Sequence, residues 1–458
     1  MTQNTQFAYQ TSLQAEQELA LRLNDPGNVR WLKTELNLYI AEALRLWNCL
    51  TQTWIQNWTA TYTSASKTWQ STGNGNNPLV GSNPTSPRYQ TLTDSDVYAI
   101  AQYHLLEPPT GNGTWTGTNQ FSLMDFVNAF QGRRDTILQA AACYMGPLSI
   151  SMTPGTNSVQ LPDSTSQSVL DVRRVRFVPA ASQGVASTLY RDDGMAFEYF
   201  NNGGLQAGGP PLSWDVLAGP PLYLTFDEPS NVPNTLDILA MFSGGTVTPP
   251  TSSPLLIPDD WSWVLKFGMM ADLLREEGES QDLLRAQYCE KRFEEGLKLM
   301  VSMPWLTQAR IDNVPCDTPS VIEADEMDYE WQTNSAAQPG IIRGGIDLFA
   351  VSPPIPAATN VAVTLSLVGN APIPTSDGAF VQVGRDVMDS ILDEAQHLAM
   401  FKEGGAEFKS SMSLHEGFIA EAMNTNRRLR ESGIFPTDIR PPVSRQDEDQ
   451  PRFAEEKR

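Results

Sequence analysis

Histidine is the residue type in this chain best suited to metal binding or acid–base chemistry, and the sequence contains three: His104, His397 and His415. His397 and His415 fall on two successive predicted helices, and a helical hairpin would bring them together. Two facing imidazoles could contribute to a metal site. The alternative is that both histidines pack between helices and hydrogen-bond to neighbouring groups. We favour this second interpretation and predict neither a metal ion nor a cofactor.

Adjacent carboxylates, a second possible source of chemistry, occur at Asp192-Asp193 and Asp259-Asp260. Neighbours on a strand point to opposite faces, and acidic residues at a helix start serve as caps, so we assign turn and cap roles. The chain has no Walker loop, GxSxG elbow, HExxH motif or EF-hand loop, and the glycines of residues 111–117 lack dinucleotide spacing. The sequence therefore predicts no catalytic residues and no enzyme activity.

Aromatic side chains between Trp47 and Trp69 could stack on bases or sugars. Trp47 lies in an apolar helical stripe, however, and the region lacks a cluster of Lys and Arg, so we expect packing within the core or between subunits. The net charge is −22 with 18% charged residues. Such a surface will not hold phosphates by counterion release.

The cysteines and the N-terminus give two further expectations, one on disulfides and metal binding and one on membrane segments. Cys49, Cys143, Cys289 and Cys316 have neither CxxC nor metal spacing, so we expect reduced thiols in the core. The N-terminus lacks the basic and apolar regions of a signal peptide, and no apolar run approaches 18 residues. We expect a protein with no membrane segment.

Helices dominate the predicted N-terminal region, residues 1–147, which contains a long loop at 61–87. A short helix covers 14–23. The next helix carries an apolar stripe and is expected to continue towards Trp54 and Trp58. The stripe consists of Leu32, Leu36, Tyr39, Ile40, Ala43, Leu44, Trp47 and Leu50. Asp94 or Ser95 is predicted to cap a third helix, and Ser122 a fourth.

The middle of the chain changes to a period of two, which predicts a β-rich domain at 148–257. Residues 168–178 alternate as a half-buried strand with a basic face that contains Arg173, Arg174 and Arg176. A helical hairpin then follows at 258–305, with Asp259 or Asp260 as the cap of its first helix.

A second β-rich segment is predicted at 306–384 and a second helical hairpin at 385–433. The acidic patch at 323–330 is interpreted as a solvated loop. Because strands and a helical hairpin follow the same order in 222–301 and 347–423, an internal βαα duplication is one interpretation. Two unrelated βαα segments are the other.

The last segment, residues 434–458, is predicted to be an extended C-terminal arm. Phe435, Ile439 and Phe453 lie among prolines and mixed charges, so the segment cannot bury enough apolar surface to fold alone. It could use these three side chains as anchors in a partner's groove. A plain disordered tail is the alternative.

Together these patterns predict an α+β fold. Long antiparallel helices are expected to form a helical bundle, with β-rich, sandwich-like segments inserted between them and an extended C-terminal tail.

The pattern of residues 31–47, WLKTELNLYIAEALRLW, resembles the opening helix of the head-to-tail adaptor (neck or connector) proteins of tailed bacteriophages. Similar patterns follow at 161–163 (LPD), 172–173 (VR), 189–193 (LYRDD), 220–223 (PPLY) and 257–258 (IP), ahead of the first hairpin. The resemblance covers roughly residues 28–305. The chain is longer than the smaller adaptors because of the additional β-rich segment and hairpin.

The resemblance implies a structural virion protein, assembled in the host bacterial cytoplasm, that forms a dodecameric ring joining the portal protein to a tail or nozzle protein. Double-stranded DNA would pass through the channel without specific binding, and an acidic lumen would favour this because like charges repel. Ordinary solubility explains the same net charge equally well. Another tail component, such as a tail-tube, baseplate or receptor-binding protein, is an alternative. An enzyme of unrecognised class is a further alternative.

Overall fold

The computed structural model of the chain describes residues 8, 10–63, 70–71, 92–106, 120–164, 168–180, 186–192, 209–217, 219, 221–247, 253–276, 281–302, 306–332, 340–346, 348–352 and 360–431. The C-terminal arm, with Phe435, Ile439 and Phe453, lies outside these residues. Asp193 and most of the predicted loop at 61–87 do so as well.

The helices occupy both ends of the chain and its centre. They are α1 (Ser12–Arg22), α2 (Lys33–Thr51), α3 (Asp94–His104), α4 (Leu123–Ala141), α5 (Ser262–Arg275), α6 (Leu283–Ser302), α7 (Val321–Met327), α8 (Arg385–Glu403) and α9 (Gly405–Glu431). The pairs α5–α6 and α8–α9 are the two predicted hairpins. The strands between them make the protein an α+β molecule, as predicted.

The strands fall into three sheets within the described part of the chain. They are β1 (Ile55–Thr63), β2 (Gln70–Ser71), β3 (Met145–Met152), β4 (Ser158–Gln160), β5 (Val169–Pro179), β6 (Ser187–Arg191), β7 (Ser213–Leu217), β8 (Tyr223–Phe226), β9 (Asn234–Phe242), β10 (Leu306–Ile311), β11 (Val314–Cys316), β12 (Gly340–Arg343), β13 (Leu348–Ser352) and β14 (Asn360–Val368). The sheet orders are β3-β9-β5-β6-β7-β8-β4, β1-β14-β10-β11 and β12-β13-β2. All strand pairs are antiparallel except β6 with β7.

Apolar faces of the helices meet in one continuous core, to which all the helices except α7 contribute. The predicted stripe of α2 is buried there apart from Leu32, which is 46% exposed. Trp47 packs edge-on against Phe418 of α9, with ring centroids 5.7 Å apart. A second cluster fills the inner face of the seven-stranded sheet, and two smaller ones lie where β12 and β13 meet the other sheets.

The end of α2 differs from the prediction. The helix ends at Thr51, where Gln52 adopts a left-handed conformation (φ 56°), and Trp58 lies on strand β1 instead of on the helix. Residues 61–63, expected in the loop, also belong to β1. The reason is long-range: β1 pairs along its whole length with β14, which lies about 300 residues later in the chain.

Two cap assignments also need correction. Thr93, and not Asp94 or Ser95, is the N-cap of α3 and forms a capping box with Asp96. Neither Asp259 nor Asp260 is the N-cap of α5, because a turn of 3₁₀ helix at Asp259–Trp261 precedes it. Ser122, by contrast, caps α4 as predicted.

The basic strand and the acidic patch are more buried than predicted. Arg173 on β5 is exposed, but Arg174 is 4% exposed and lies over the ring of Trp331. Asp325, from the supposed solvated loop, belongs to α7 and lies 3.1 Å from Nε of Arg174. Arg174 and Asp325 therefore pair with each other away from bulk water, while Arg173, Glu323 and Glu326 stay exposed.

The proposed repeat agrees with the structure only in the order of its elements. Strands β8 and β9 precede the first hairpin, and β13 and β14 precede the second. However, β8 and β9 lie in one sheet, whereas β13 and β14 lie in two different sheets. In the described part of the chain no helix is long and apolar enough to cross a membrane.

Candidate functional sites: a buried polar network and an arginine-lined cleft

A polar network lies inside the helical core, where α6 meets α8 and α9. His415 on α9 donates from Nδ1 to Oε2 of Glu394 on α8 at 2.7 Å. Arg292 on α6 donates to Nε2 of the same imidazole and lies 3.6 Å from Oε1 of Glu394. Arginine carries only donors, so Nε2 of His415 must accept and its proton must sit on Nδ1. The three side chains therefore join three helices.

His397, the second histidine of the hairpin, stacks on His415 with ring centroids 5.1 Å apart. Its Nδ1 lies 2.9 Å from Oγ of Ser411, and its Nε2 lies 2.8 Å from the hydroxyl of Tyr288. Because the Ser411 hydroxyl donates to the carbonyl of Phe408, it must accept from Nδ1. Nε2 then accepts from Tyr288, so His397 is neutral.

Burial and hydrogen bonding determine which groups of this network are charged and which are neutral. Burial lowers the pKa of His397 to about 4, although the nearby Glu394 opposes the shift. Burial opposes ionisation of Glu394, but the electrostatic interaction and hydrogen bond with His415, followed by the charge of Arg292, lower its pKa to about 2. Near neutral pH the network therefore contains ionised Glu394, charged Arg292 and a neutral His397.

A second buried ion pair connects α2 with α5. Lys266 is 1% exposed and donates to Oε1 of Glu42. Its Nζ also lies 3.1 Å from Nε2 of His104 on α3, which must accept because lysine has only donors. Burial, together with the charge of Lys266, holds the pKa of His104 well below its ordinary value. His104 is thus used in packing, like the other two histidines.

A third pair connects α2 with α8. Nζ of Lys402 lies 3.0 Å from both carboxylate oxygens of Glu35. Glu35, which is 1% exposed, also accepts from the hydroxyl of Tyr39 at 2.6 Å. Buried pairs of this kind cost desolvation, and removal of one partner leaves an uncompensated charge in the core.

Asp260, one of the acidic pair at 259–260, accepts hydrogen bonds from distant parts of the chain instead of capping a helix. Both its carboxylate oxygens accept from the backbone N–H of Ala371, at 3.1 and 3.0 Å, and Asn48 of α2 donates to one of them. Burial raises the pKa of Asp260 to about 7. The group connects three distant parts of the chain.

The histidines of this interior are engaged in pairing between side chains. All four ring nitrogens of His397 and His415 have protein partners, as expected of histidines that pack helices together. Among the described residues, no group of three or more His, Cys, Asp and Glu side chains is placed to hold a metal ion. Cys49, Cys143 and Cys289 are buried thiols that form no disulfide, and Cys316 is a partly buried one.

A separate cleft of about 480 Å³ lies beside α7. Its floor is mainly apolar, and three arginines from two sheets line it: Arg173 on β5, Arg191 on β6 and Arg343 on β12. One carboxylate, that of Asp325, is present in the lining. In a chain with a net charge of −22, this cleft is a local concentration of positive charge.

Sequence reasoning found the histidines but missed their partners and the cleft. Lys266 carried a usable signal, because it is a lone charge within a long apolar helical run, a position that requires a buried partner. Arg292 and Glu394 carried none, since each looks like an ordinary polar-face residue until the hairpins are packed. The identity of each partner depends on tertiary contacts between residues more than 100 positions apart.

No family model matches this chain, and no curated protein matches it significantly in sequence.

Proposed function

We propose that this protein is a structural component of the neck of a tailed bacteriophage, a ring-forming adaptor between the portal protein and the tail. The sequence pattern of residues 31–47 carries the proposal, together with the helical hairpin that follows the β-rich region. The described elements are compatible with it, since the segment forms α2 and the hairpin forms α5–α6.

In this proposal the helices of both ends form one bundle, with the β segments packed to its side or end. The buried pairs Lys266–Glu42 and Lys402–Glu35 support this arrangement because each joins helices from distant parts of the chain. A protein that carries the load between head and tail needs a rigid subunit. Buried, directional pairs favour a single packing over alternatives.

The net charge supports the proposed passage of DNA. An acidic channel wall repels the phosphate backbone, so DNA can move without being held. The ring itself would close through head-to-tail contacts between neighbouring copies, which form a ring when the rotation between subunits permits closure.

The proposed partner-binding element is the C-terminal arm, with Phe435, Ile439 and Phe453 as anchors and the portal or the adjacent subunit as its partner. Deleting residues 436–458 should leave thermal unfolding of the subunit nearly unchanged, because a segment of prolines and mixed charges with so few large apolar side chains contributes little to a core. It should weaken attachment to portal-containing heads, measured by co-sedimentation with purified heads that lack tails. The matched control is Phe453→Tyr in the full chain, which keeps the aromatic ring and should attach normally.

Normal attachment of the truncated protein would contradict the role of the arm. Loss of folding on truncation would contradict it as well, because the segment would then belong to the subunit's own packing. The deletion therefore tests the arm separately from the fold.

A further inference from the structure

The arginine-lined cleft contains more positive charge than its own carboxylate neutralises. Asp325 is the one carboxylate in the lining, and it already pairs with a fourth arginine, Arg174, which is 4% exposed. Arg343 is partly removed from water, where a guanidinium without a close carboxylate is unfavourable, whereas Arg173 and Arg191 are exposed. The cleft therefore has the electrostatics of a site for an anionic group.

Arg343 is the least compensated of the three. Its Nε is buried, and among the described residues it has no hydrogen-bond partner. Burial lowers the pKa of Arg343, and only the more distant charge of Glu323 opposes the shift. Arg173 and Arg191 share one carboxylate, Asp171, at 3.8 Å from each, a separation too long for a strong hydrogen-bonded pair.

The floor of the cleft requires an apolar group as well as an anion. Leu348, Phe349, Leu365 and Leu367 line it although each is only 1–4% exposed, and Ile322, also in the lining, is 66% exposed. A free inorganic anion would pair with the arginines but would leave the apolar lining of the cleft in contact with water. A peptide with carboxylates around a large apolar side chain would satisfy both.

The end of this same chain has that composition. Residues 447–456 contain five carboxylates, one guanidinium and a single aromatic side chain, Phe453, between two acidic groups. Helix α9 ends at Glu431, and the 16 residues from there to Asp447 can span roughly 50 Å when extended. A compact chain of this length has a radius of gyration of about 23 Å, so the segment can reach another copy.

We propose that the cleft of one copy binds residues 447–456 of the adjacent copy, with Phe453 on the apolar floor and the flanking carboxylates on Arg173, Arg191 and Arg343. The inference rests on the proposed ring and selects the adjacent subunit as the arm's partner. Guanidinium–carboxylate pairs give directional, charge-assisted hydrogen bonds. Tethering within a ring raises the effective concentration of the segment, so even a weak contact would be occupied.

The test uses the full chain with p-benzoylphenylalanine in place of Phe453, irradiated after purification. We expect covalent dimers and larger species on a denaturing gel, with cross-linked peptides that map to residues 320–325 or 345–349. The double substitution Arg173→Gln with Arg343→Gln should reduce the cross-linking yield by about tenfold, since it removes two of three charge-assisted contacts. Arg310→Gln, an exposed arginine outside the cleft, is the matched control and should change nothing.

Each outcome is informative when the oligomeric state is measured on the same samples by mass photometry. Rings with no cross-links in the cleft, or with cross-links unaffected by the double substitution, would overturn the cleft assignment and leave the proposed function standing. Cross-links only within one copy would overturn the assignment to the neighbour. Monomers in every sample would contradict the ring itself. Circular dichroism of each variant excludes loss of folding as the cause.

Discussion

His397 is the residue for which burial has the clearest measurable consequence. Its pKa is about 4 in the folded protein, against an ordinary value of 6.5, because burial disfavours the charged ring. The unfolded chain therefore binds a proton at this site first, as the pH falls below about 6.5. The contribution of His397 to stability is largest above that pH and is lost as the pH falls towards 4.

We predict that His397→Gln flattens the pH dependence of stability in this window. At pH 5 the wild-type protein should have lost about 2 kcal/mol at this site relative to pH 7.5, and the variant should not lose it. Denaturant unfolding at the two pH values measures the difference. Ser411→Ala is the matched control, because it removes a hydrogen bond of the ring and keeps the titrating group.

The control should lower stability at both pH values and keep the wild-type slope. If His397→Gln also kept the wild-type slope, that result would contradict the assignment of His397 as a buried, neutral histidine. The comparison between variants is needed because Asp260 titrates with the opposite sign. Its raised pKa, about 7, makes its contribution largest at low pH, and that contribution is lost as the pH rises.

At the scale of elements, the hairpin α5–α6 depends on a close approach of two helices. A Cβ atom at Gly296 of α6 would lie 2.7 Å from Trp263 and Val264 of α5, which is too close for any side chain. We predict that Gly296→Ala destabilises the protein by about 1–3 kcal/mol in denaturant unfolding, because the helices must separate.

Gly417 on α9 provides the matched control. A Cβ atom there would meet nothing within 4 Å, so Gly417→Ala should be neutral or stabilise by roughly 0.5–1 kcal/mol through reduced freedom of the unfolded chain. Equal effects of the two substitutions would refute the close packing of the hairpin.

Packing of α2 against α8 and α9 is tested by a charge in its buried stripe. Leu44 is 1% exposed, and Leu44→Asp should prevent folding, with a cost of at least about 4 kcal/mol. Leu21→Asp on α1, where the leucine is 63% exposed, should fold normally. Soluble, cooperatively unfolding Leu44→Asp protein would contradict the proposed bundle.

Local periodicity explains how far the elements could be predicted. The stripe from Leu36 to Leu50 defines a helix without reference to any partner, and the Ser122 cap marks the start of another. The end of α2 at Thr51 could not be predicted in this way, because it depends on a strand partner far along the chain. The buried ion pairs could not be predicted from the sequence for the same reason. The position of a charged residue on one helix does not indicate which other helix it will contact.

At the scale of the whole molecule, we propose a rigid subunit with a positively charged cleft, a net charge of −22 and an arm that joins it to its neighbours. The three histidines, which are the residues best suited to chemistry in this sequence, hydrogen-bond to side chains of neighbouring helices inside the subunit. We propose that the function lies in assembly, through surfaces that several copies complete.

The most direct test of this claim is electron microscopy of the purified full-length protein together with mass photometry. The account predicts closed rings with a central channel and a mass about twelve times that of one chain, as the resemblance to portal-matched adaptors implies. A particle that stays monomeric at micromolar concentration, and remains monomeric when portal-containing heads are added, would contradict it.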